Sequence, residues 1–181
     1  MKIRVAESDR LYFSNITIDD KDDLVVHLNN PQILHRRYIP WEFEKKILDE
    51  KGVLELINKW NESEKSESFG IFEKASNLLI GHVSYNFGWD TLNMGLDMAI
   101  YPDFWKKGYG TEVITLILDY MFNNTVVHNV NTYVDDWNEI GIKFVENFFQ
   151  YCGQMRRTGI KNGQHYNTNI YDILRSEWWS K

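Results

Sequence analysis

Apolar positions along the chain switch between a period near 3.6 and a period of 2, and the switches outline its elements. Leu11-Tyr12-Phe13 is a short β-prone run bounded by Ser14-Asn15. After Asp19-Asp20, Leu24, Val25 and Leu28 recur on one helical face, and the acids of the first turn suit the positive end of the helix dipole. Asn29-Asn30-Pro31 stops that helix. Helical spacing returns between Trp41 and Trp60 through Ile47, Leu48, Leu54 and Ile57, with a break expected near Gly52. Asn61 to Ser68 reads as a solvated loop. Three strands are then expected, Phe69 to Phe72, Leu78 to Phe87 and Met94 to Tyr101, joined by Lys74-Ala75-Ser76-Asn77 and Gly88-Trp89-Asp90-Thr91.

Past Gly110 the period changes again. Val113, Leu116, Ile117 and Tyr120 predict an amphipathic helix. His128 to Val134 predicts a strand, Asn138 to Phe149 a helix, and Tyr151 to Arg157 with His165 to Leu174 two closing strands around a Lys161-Asn162-Gly163 turn. Helices, a meander, then strand, helix and strands make an α+β domain, and the crossover helix after Gly110 implies one parallel strand pair. A single domain is expected over residues 1–181.

Composition narrows the partners. Hydrophobic residues are 43% and charged residues 25% of the chain, the balance of an ordinary globular protein. The formal net charge of -6 argues against nucleic acid, which calls for a basic face, and suits a cationic acceptor. The 7 Trp, 10 Tyr and 10 Phe read as core and pocket walls rather than a base-stacking platform. One cysteine, Cys152, leaves no intrachain disulfide or cysteine-based zinc cluster; it reads as a small packed side chain, and no metal site is expected. No apolar run marks a signal peptide or membrane span, so a cytoplasmic location and no membrane partner are expected.

The segment carrying chemistry runs from Ile100 to Glu112, Ile-Tyr-Pro-Asp-Phe-Trp-Lys-Lys-Gly-Tyr-Gly-Thr-Glu. It joins a strand to an amphipathic helix through Gly108 and Gly110. Free N–H groups and the dipole at a helix start bind anions, glycines admit a phosphate closely, and Lys106 and Lys107 add charge. A tight strand–helix turn with surface lysines would read the same way. The spacing is neither a Walker loop nor a dinucleotide fingerprint.

Pro102 through Glu112 resembles the acetyl-CoA motif of the GNAT superfamily, and in particular its RimJ/RimL-like branch of ribosomal-protein and polyamine acetyltransferases. That branch typically has Trp-Gly-Lys-Gly-Tyr-Gly-Thr-Glu where this chain has Trp105-Lys106-Lys107-Gly108-Tyr109-Gly110-Thr111-Glu112. The likeness continues through Leu118-Asp119-Tyr120-Met121-Phe122 and Asn138 to Ile173-Leu174-Arg175-Ser176-Glu177-Trp178. It implies a mixed, mostly antiparallel sheet of about seven strands flanked by about four helices, with a V-shaped splay between two central strands. It further implies acetyl-CoA as acyl donor. Backbone groups of Met98, Ala99 and Ile100 would meet the pantetheine arm and the thioester. Amides from Lys107 to Thr111, with Lys106 beside them, would hold the pyrophosphate. Asn138 matches an asparagine that contacts the cofactor, and equally reads as a plain N-cap.

For chemistry, the resemblance implies direct attack by a primary amine of a small molecule or a protein N-terminus. Asp97, on the strand facing the cleft in the family layout, is the candidate base; a cross-strand or solvent-facing carboxylate is the competing reading. His82 and Asp135 are further candidates. His35 and Arg36-Arg37 fall where the family places acceptor-side helices, and the arginines read by default as solvated. Many relatives carry an acid tyrosine in the helix after the asparagine, whereas here the position is Val145 or Phe144. Tyr133 is the substitute candidate, and a catalytically weakened acyl-CoA-binding module is the alternative to an enzyme. The aromatic-rich last strand suits pairing across a homodimer.

Overall fold

The computed structural model describes residues 2–35, 37–44, 47–87 and 92–180. The strands are β1 (Arg4–Glu7), β2 (Leu11–Ser14), β3 (Ser66–Glu73), β4 (Leu79–Phe87), β5 (Asn93–Ile100), β6 (Asn129–Asp135), β7 (Gln150–Lys161) and β8 (Gln164–Leu174). The helices are α1 (Lys21–Leu28), α2 (Trp41–Glu44), α3 (Glu50–Glu62), α4 (Tyr109–Asn124), α5 (Glu139–Val145) and α6 (Arg175–Trp178). The strands form one sheet in the order β1-β2-β3-β4-β5-β6-β8-β7. Only β5–β6 is parallel among the registered pairs, as the crossover through α4 requires. That parallel pairing covers Asn93–Gly95 and Asn129–Asn131, the short ladder expected of strands that splay.

Eight strands replace the seven read from sequence because Arg4–Glu7 pairs with β2. Its charged ends hide it from a hydrophobic pattern. Gly52 does not break the second helical stretch. The side chain of Asp49 accepts from the N–H of Gly52 at 2.8 Å and so caps the start of α3, which runs through the glycine. The expected loop of 61–68 shrinks accordingly, with α3 reaching Glu62 and β3 starting at Ser66. The expected turn of 88–91 lies outside the described residues. Cys152 lies exposed on β7 rather than packed.

The chain divides into two compact units, Met1–Asn86 with Asp97–Asn123, and Phe87–Leu96 with Asn124–Lys181. In the first, β2 is buried along its whole length because each face is covered. Tyr12 stacks on Phe72 at 5.1 Å among Leu24, Leu28, Leu56, Ile57 and Trp60 from α1 and α3. Phe13, one residue on, stacks on Phe69, whose ring meets Tyr120 of α4 at 6.0 Å. Period-2 alternation therefore sends neighbouring residues into two different layers. In α4 the deepest positions are Val113, Ile117, Leu118 and Met121, so the buried stripe is centred one residue round from Leu116 and Tyr120.

Gly81 of β4 has a specific reason to be glycine. A Cβ there would meet the carbonyl oxygen of Ala99 at 2.3 Å. Gly81→Ala is expected to destabilise the fold by about 1–3 kcal/mol in urea unfolding. A change below about 0.5 kcal/mol would show that β5 can yield.

In the second unit β6 pairs with β8 along its length and β8 with β7. Val130, Val134, Val145, Phe149, Tyr171 and Ile173 are buried here. α5 is shorter than the expected 138–149. The Asn147 side chain donates to the carbonyls of Lys143 and Phe144, taking up C-terminal acceptors of the helix.

Candidate functional site

The turn leaving β5 is built by local constraints. Pro102–Phe104 makes one tight turn, with Trp105 N–H bonded to Pro102 O, and the Trp105 indole N–H donates to Ile100 O at 2.6 Å. The chain then enters left-handed conformations at Lys106 (φ 62°) and Gly108 (φ 81°) before α4 begins at Tyr109. Such reversals turn successive N–H groups to one side and make an anion-binding nest. The amides opening α4 also lie outside its intrahelical ladder, at the positive end of a 16-residue helix. A Cβ on Gly108 would meet only Arg10 Nη2, at 3.5 Å, so the space before the turn is open. Lys106 occupies a left-handed site that costs a non-glycine residue about 1–2 kcal/mol.

Two carboxylates pin this turn. Glu112 accepts from Ser8 Oγ at 2.6 Å, from the Arg10 N–H at 3.1 Å and from Arg10 Nε at 2.7 Å. Arg10 also donates Nη1 to Lys107 O at 3.1 Å and lies 4.6 Å from the centre of the Tyr109 ring. Tyr109 in turn donates its hydroxyl to Glu73, which accepts from Ser76 Oγ. Burial raises the Glu112 carboxyl, but hydrogen bonds from Ser8 and Arg10 and the Arg10 charge outweigh it, leaving it below the ordinary carboxylate range. Glu73 is held low first by Ser76 and then by Tyr109. Both carboxylates therefore stay ionised at neutral pH. Arg10 and Glu73 did not stand out in the sequence, because Glu112 and Tyr109, which they engage at this turn, lie far along the chain.

Asp97, Met98, Ala99 and Ile100 lie on the half of β5 that leads into this turn. Ala99 is buried and its neighbours half-buried. Burial pushes the Asp97 carboxyl up to about 6, and the Glu44 charge adds to the shift. Among the described residues no hydrogen bond or ion pair engages that carboxylate. Glu44 is also raised by burial; it accepts from the Ile39 N–H at 3.2 Å and lies 3.8 Å from Arg37 Nε. Arg37 is not solvated. It is wholly buried and donates Nη2 to the carbonyls of Phe43 and Glu44. His35 is exposed, and Arg36 lies outside the described residues.

His82 is buried and engaged. Its Nε2 donates to Arg37 O at 2.6 Å and its Nδ1 lies 3.3 Å from the Tyr101 hydroxyl. Burial pushes its pKa down to about 4, so it is a neutral packing residue. In the second unit, Asp135 accepts from Thr168 Oγ1 at 2.7 Å within the β6–β8 pair. Asn138 is buried and its Oδ1 accepts from the Gly141 N–H at 3.0 Å, the N-cap of α5. Val145 is buried at the end of α5 and Phe144 packs on Phe148 at 5.6 Å. Tyr133 is 42% exposed on β6.

A glycine turn between a strand and an amphipathic helix matches a known arrangement. The family model described as "Acetyltransferase (GNAT) domain" covers residues 10–148. The chain belongs to the GNAT acetyltransferase family. Among curated relatives, the N-acetyltransferase YoaA of Bacillus subtilis (strain 168) is 23% identical over 94% of this chain and 97% of its own. YnaD of the same organism, also named an N-acetyltransferase, is 26% identical over 78% of this chain and 81% of its own. Among solved structures, a GNAT-family acetyltransferase from Bacillus anthracis superposes with TM-score 0.82 at 17% identity, covering 98% of this chain and 100% of its own. A spermidine N-acetyltransferase from Vibrio cholerae, solved with CoA and spermine, gives TM-score 0.81 at 20% identity over 95% of this chain and 99% of its own. These likenesses establish the α+β GNAT fold.

GNAT acetyltransferases use acetyl-CoA. The turn fits the anionic part of that molecule: it offers the main-chain amides that open α4, an open front at Gly108 and two lysines, with its acidic neighbours Glu73 and Glu112 already engaged. Among the described residues no helix is long and apolar enough to cross a membrane.

Proposed function

We propose that this GNAT domain, spanning residues 1–181, moves an acetyl group from acetyl-CoA to a primary amine of a small molecule or a protein N-terminus. The observation that carries the reading is the Lys106–Thr111 turn, with Gly108 left-handed, open in front and placed at the start of α4. Amides of Lys107 to Thr111 hold the pyrophosphate, and Met98, Ala99 and Ile100 line the pantetheine arm. Because Ile100 O already accepts from Trp105, the arm's partners are the remaining main-chain groups of that stretch. Asn138 serves the cofactor through the orientation its N-cap bond gives it.

When bound, acetyl-CoA supplies a thioester open to attack by a neutral amine. An ordinary amine of pKa about 10.4 needs about 4.6 kcal/mol to lose its proton at pH 7. Asp97 takes that proton. Its carboxyl, raised to about 6, is ionised at neutral pH yet more basic than an ordinary carboxylate. The same negative charge attracts a cationic acceptor, in keeping with the acidic chain and with the spermidine acetylation named for one structural neighbour. A thiolate of pKa about 8.5 leaves with little help, so Tyr133 is the lesser partner as acid.

One observation favours a second reading, a CoA-binding module with weak turnover: Val145 or Phe144, neither with a hydroxyl, stands where the family resemblance implies an acid tyrosine. Thiol release measured with polyamines, aminoglycosides and basic peptides separates the two. The enzyme reading expects at least one amine to raise release well above hydrolysis. Binding of acetyl-CoA with no amine-dependent release across the panel would favour the module.

A further inference from the structure

The connection between β1 and β2 reaches the cofactor turn and the start of α4 through Ser8 and Arg10, and Arg10 alone of the two touches the turn's main chain. Arg10 engages the turn's main chain at Lys107 O, its helix at Glu112, and the face of the Tyr109 ring. The charge of Arg10 is consumed by Glu112, with Nη2 to Oε2 at 2.6 Å, so its contribution is geometric rather than that of a free cation. The turn needs such a brace. Lys106 holds a left-handed φ of 62° that its own backbone disfavours, and no turn-spanning hydrogen bond of its own secures the Lys107 carbonyl among the described contacts.

We propose that Arg10 is a positioning residue for acetyl-CoA: by bridging the Lys107 carbonyl and the Glu112 carboxylate, it holds the 106–108 turn in its binding conformation. The inference rests on this turn being the pyrophosphate site. Without the bridge the turn spends part of its time in other conformations, and apparent affinity falls by the fraction that remains competent. The acceptor half and Asp97 are untouched, so the effect falls on one substrate alone. Glu112 is the other half of the brace, and Ser8 steadies it through a 2.6 Å hydrogen bond.

The test is steady-state kinetics of Arg10→Met, Arg10→Lys and Glu112→Gln. Arg10→Met is expected to raise KM for acetyl-CoA about tenfold or more, with kcat and the acceptor KM within roughly twofold. Arg10→Lys restores a charge but not a fork, and a single ammonium cannot span both acceptors while stacked on Tyr109. It is expected to resemble the methionine variant. Glu112→Gln in the Arg10→Met background should add little further loss, because the two act as a unit. An acetyl-CoA KM within twofold of wild type in Arg10→Met, or full recovery in Arg10→Lys, would overturn the proposal. If the methionine variant folds poorly, Ser8→Ala carries the same expectation at roughly two- to fivefold, and no change there is equally adverse. Gly108→Val separates this failure from a wider one. Loss of binding in that variant with normal Arg10→Met kinetics refutes only the brace, whereas normal binding in it refutes the site.

Discussion

Asp97→Asn is expected to give a protein that is more stable and much slower. At pH 7, kcat/KM should fall by roughly 10²–10⁴-fold, the usual worth of a positioned base. Stability should rise by about 1–3 kcal/mol. Both effects come from the carboxyl's raised pKa, about 6 against an ordinary 3.8. Between those pH values the folded chain binds the Asp97 proton more tightly than the unfolded chain does, so this group's contribution to stability weakens as pH rises through the window. Above about 6 its full cost is present. A carboxyl raised from 3.8 to about 6 corresponds to about 3 kcal/mol as an upper figure, reduced by the solvent that still reaches this half-buried side chain. Asparagine carries no charge and avoids the cost. The rate should mirror it: kcat/KM in the wild type climbs through pH 6 and levels off, and the variant loses that limb. Urea unfolding at pH 7 and a pH–rate profile read the two halves separately. A variant that keeps its rate within a few-fold, or keeps the acid limb, would remove Asp97 as base.

Gly108→Val is expected to cost at least about 100-fold in acetyl-CoA affinity while leaving the protein folded. Two causes add. Valine is strained at a φ of 81°, which opens the turn, and its methyl groups enter the space that the phosphates need. Gly163 supplies an internal control, since it also holds a left-handed φ, of 79°, with no atom within 4 Å of its would-be Cβ, and it sits in the β7–β8 turn. Gly163→Val carries the same kind of backbone strain away from the cofactor turn, so its calorimetric affinity should match wild type. Equal losses in both variants would mean that general destabilisation, not the cradle, sets the affinity.

Much of the fold was legible in the sequence because its signals are local. The β-prone apolar runs of β2 to β4 between turn residues, the apolar stripe of α4 and the Lys161-Asn162-Gly163 turn each declare themselves within a dozen residues. β1 was not legible, since Arg4 and Glu7 at its ends give a strand only when β2 lies alongside. Gly52 misled because a glycine in a helical window resembles a break, whereas the cap at Asp49 decides where α3 starts.

The site divides in the same way. Gly108 and Gly110 announced a tight turn between β5 and α4, yet nothing in Trp105-Lys106-Lys107 says that Lys106, where the family motif has glycine, adopts a left-handed conformation. The brace was hidden for a different reason: Arg10 and Glu112 are 102 residues apart, a pairing that only the fold creates. Arg37 likewise looked like a solvated charge beside His35. It is buried because the backbone carbonyls of Phe43 and Glu44 accept its guanidinium. Glu44 in turn bears on Asp97, a link no spacing could reveal.

Amide hydrogen exchange with and without acetyl-CoA bears most directly on the central claim, because it reads the binding groups themselves. Acetyl-CoA should slow exchange most strongly at the amides of Lys107 to Thr111, with a smaller effect along Met98 to Ile100. Saturating acetyl-CoA that left exchange at residues 107–111 unchanged, or protected a different segment, would contradict it.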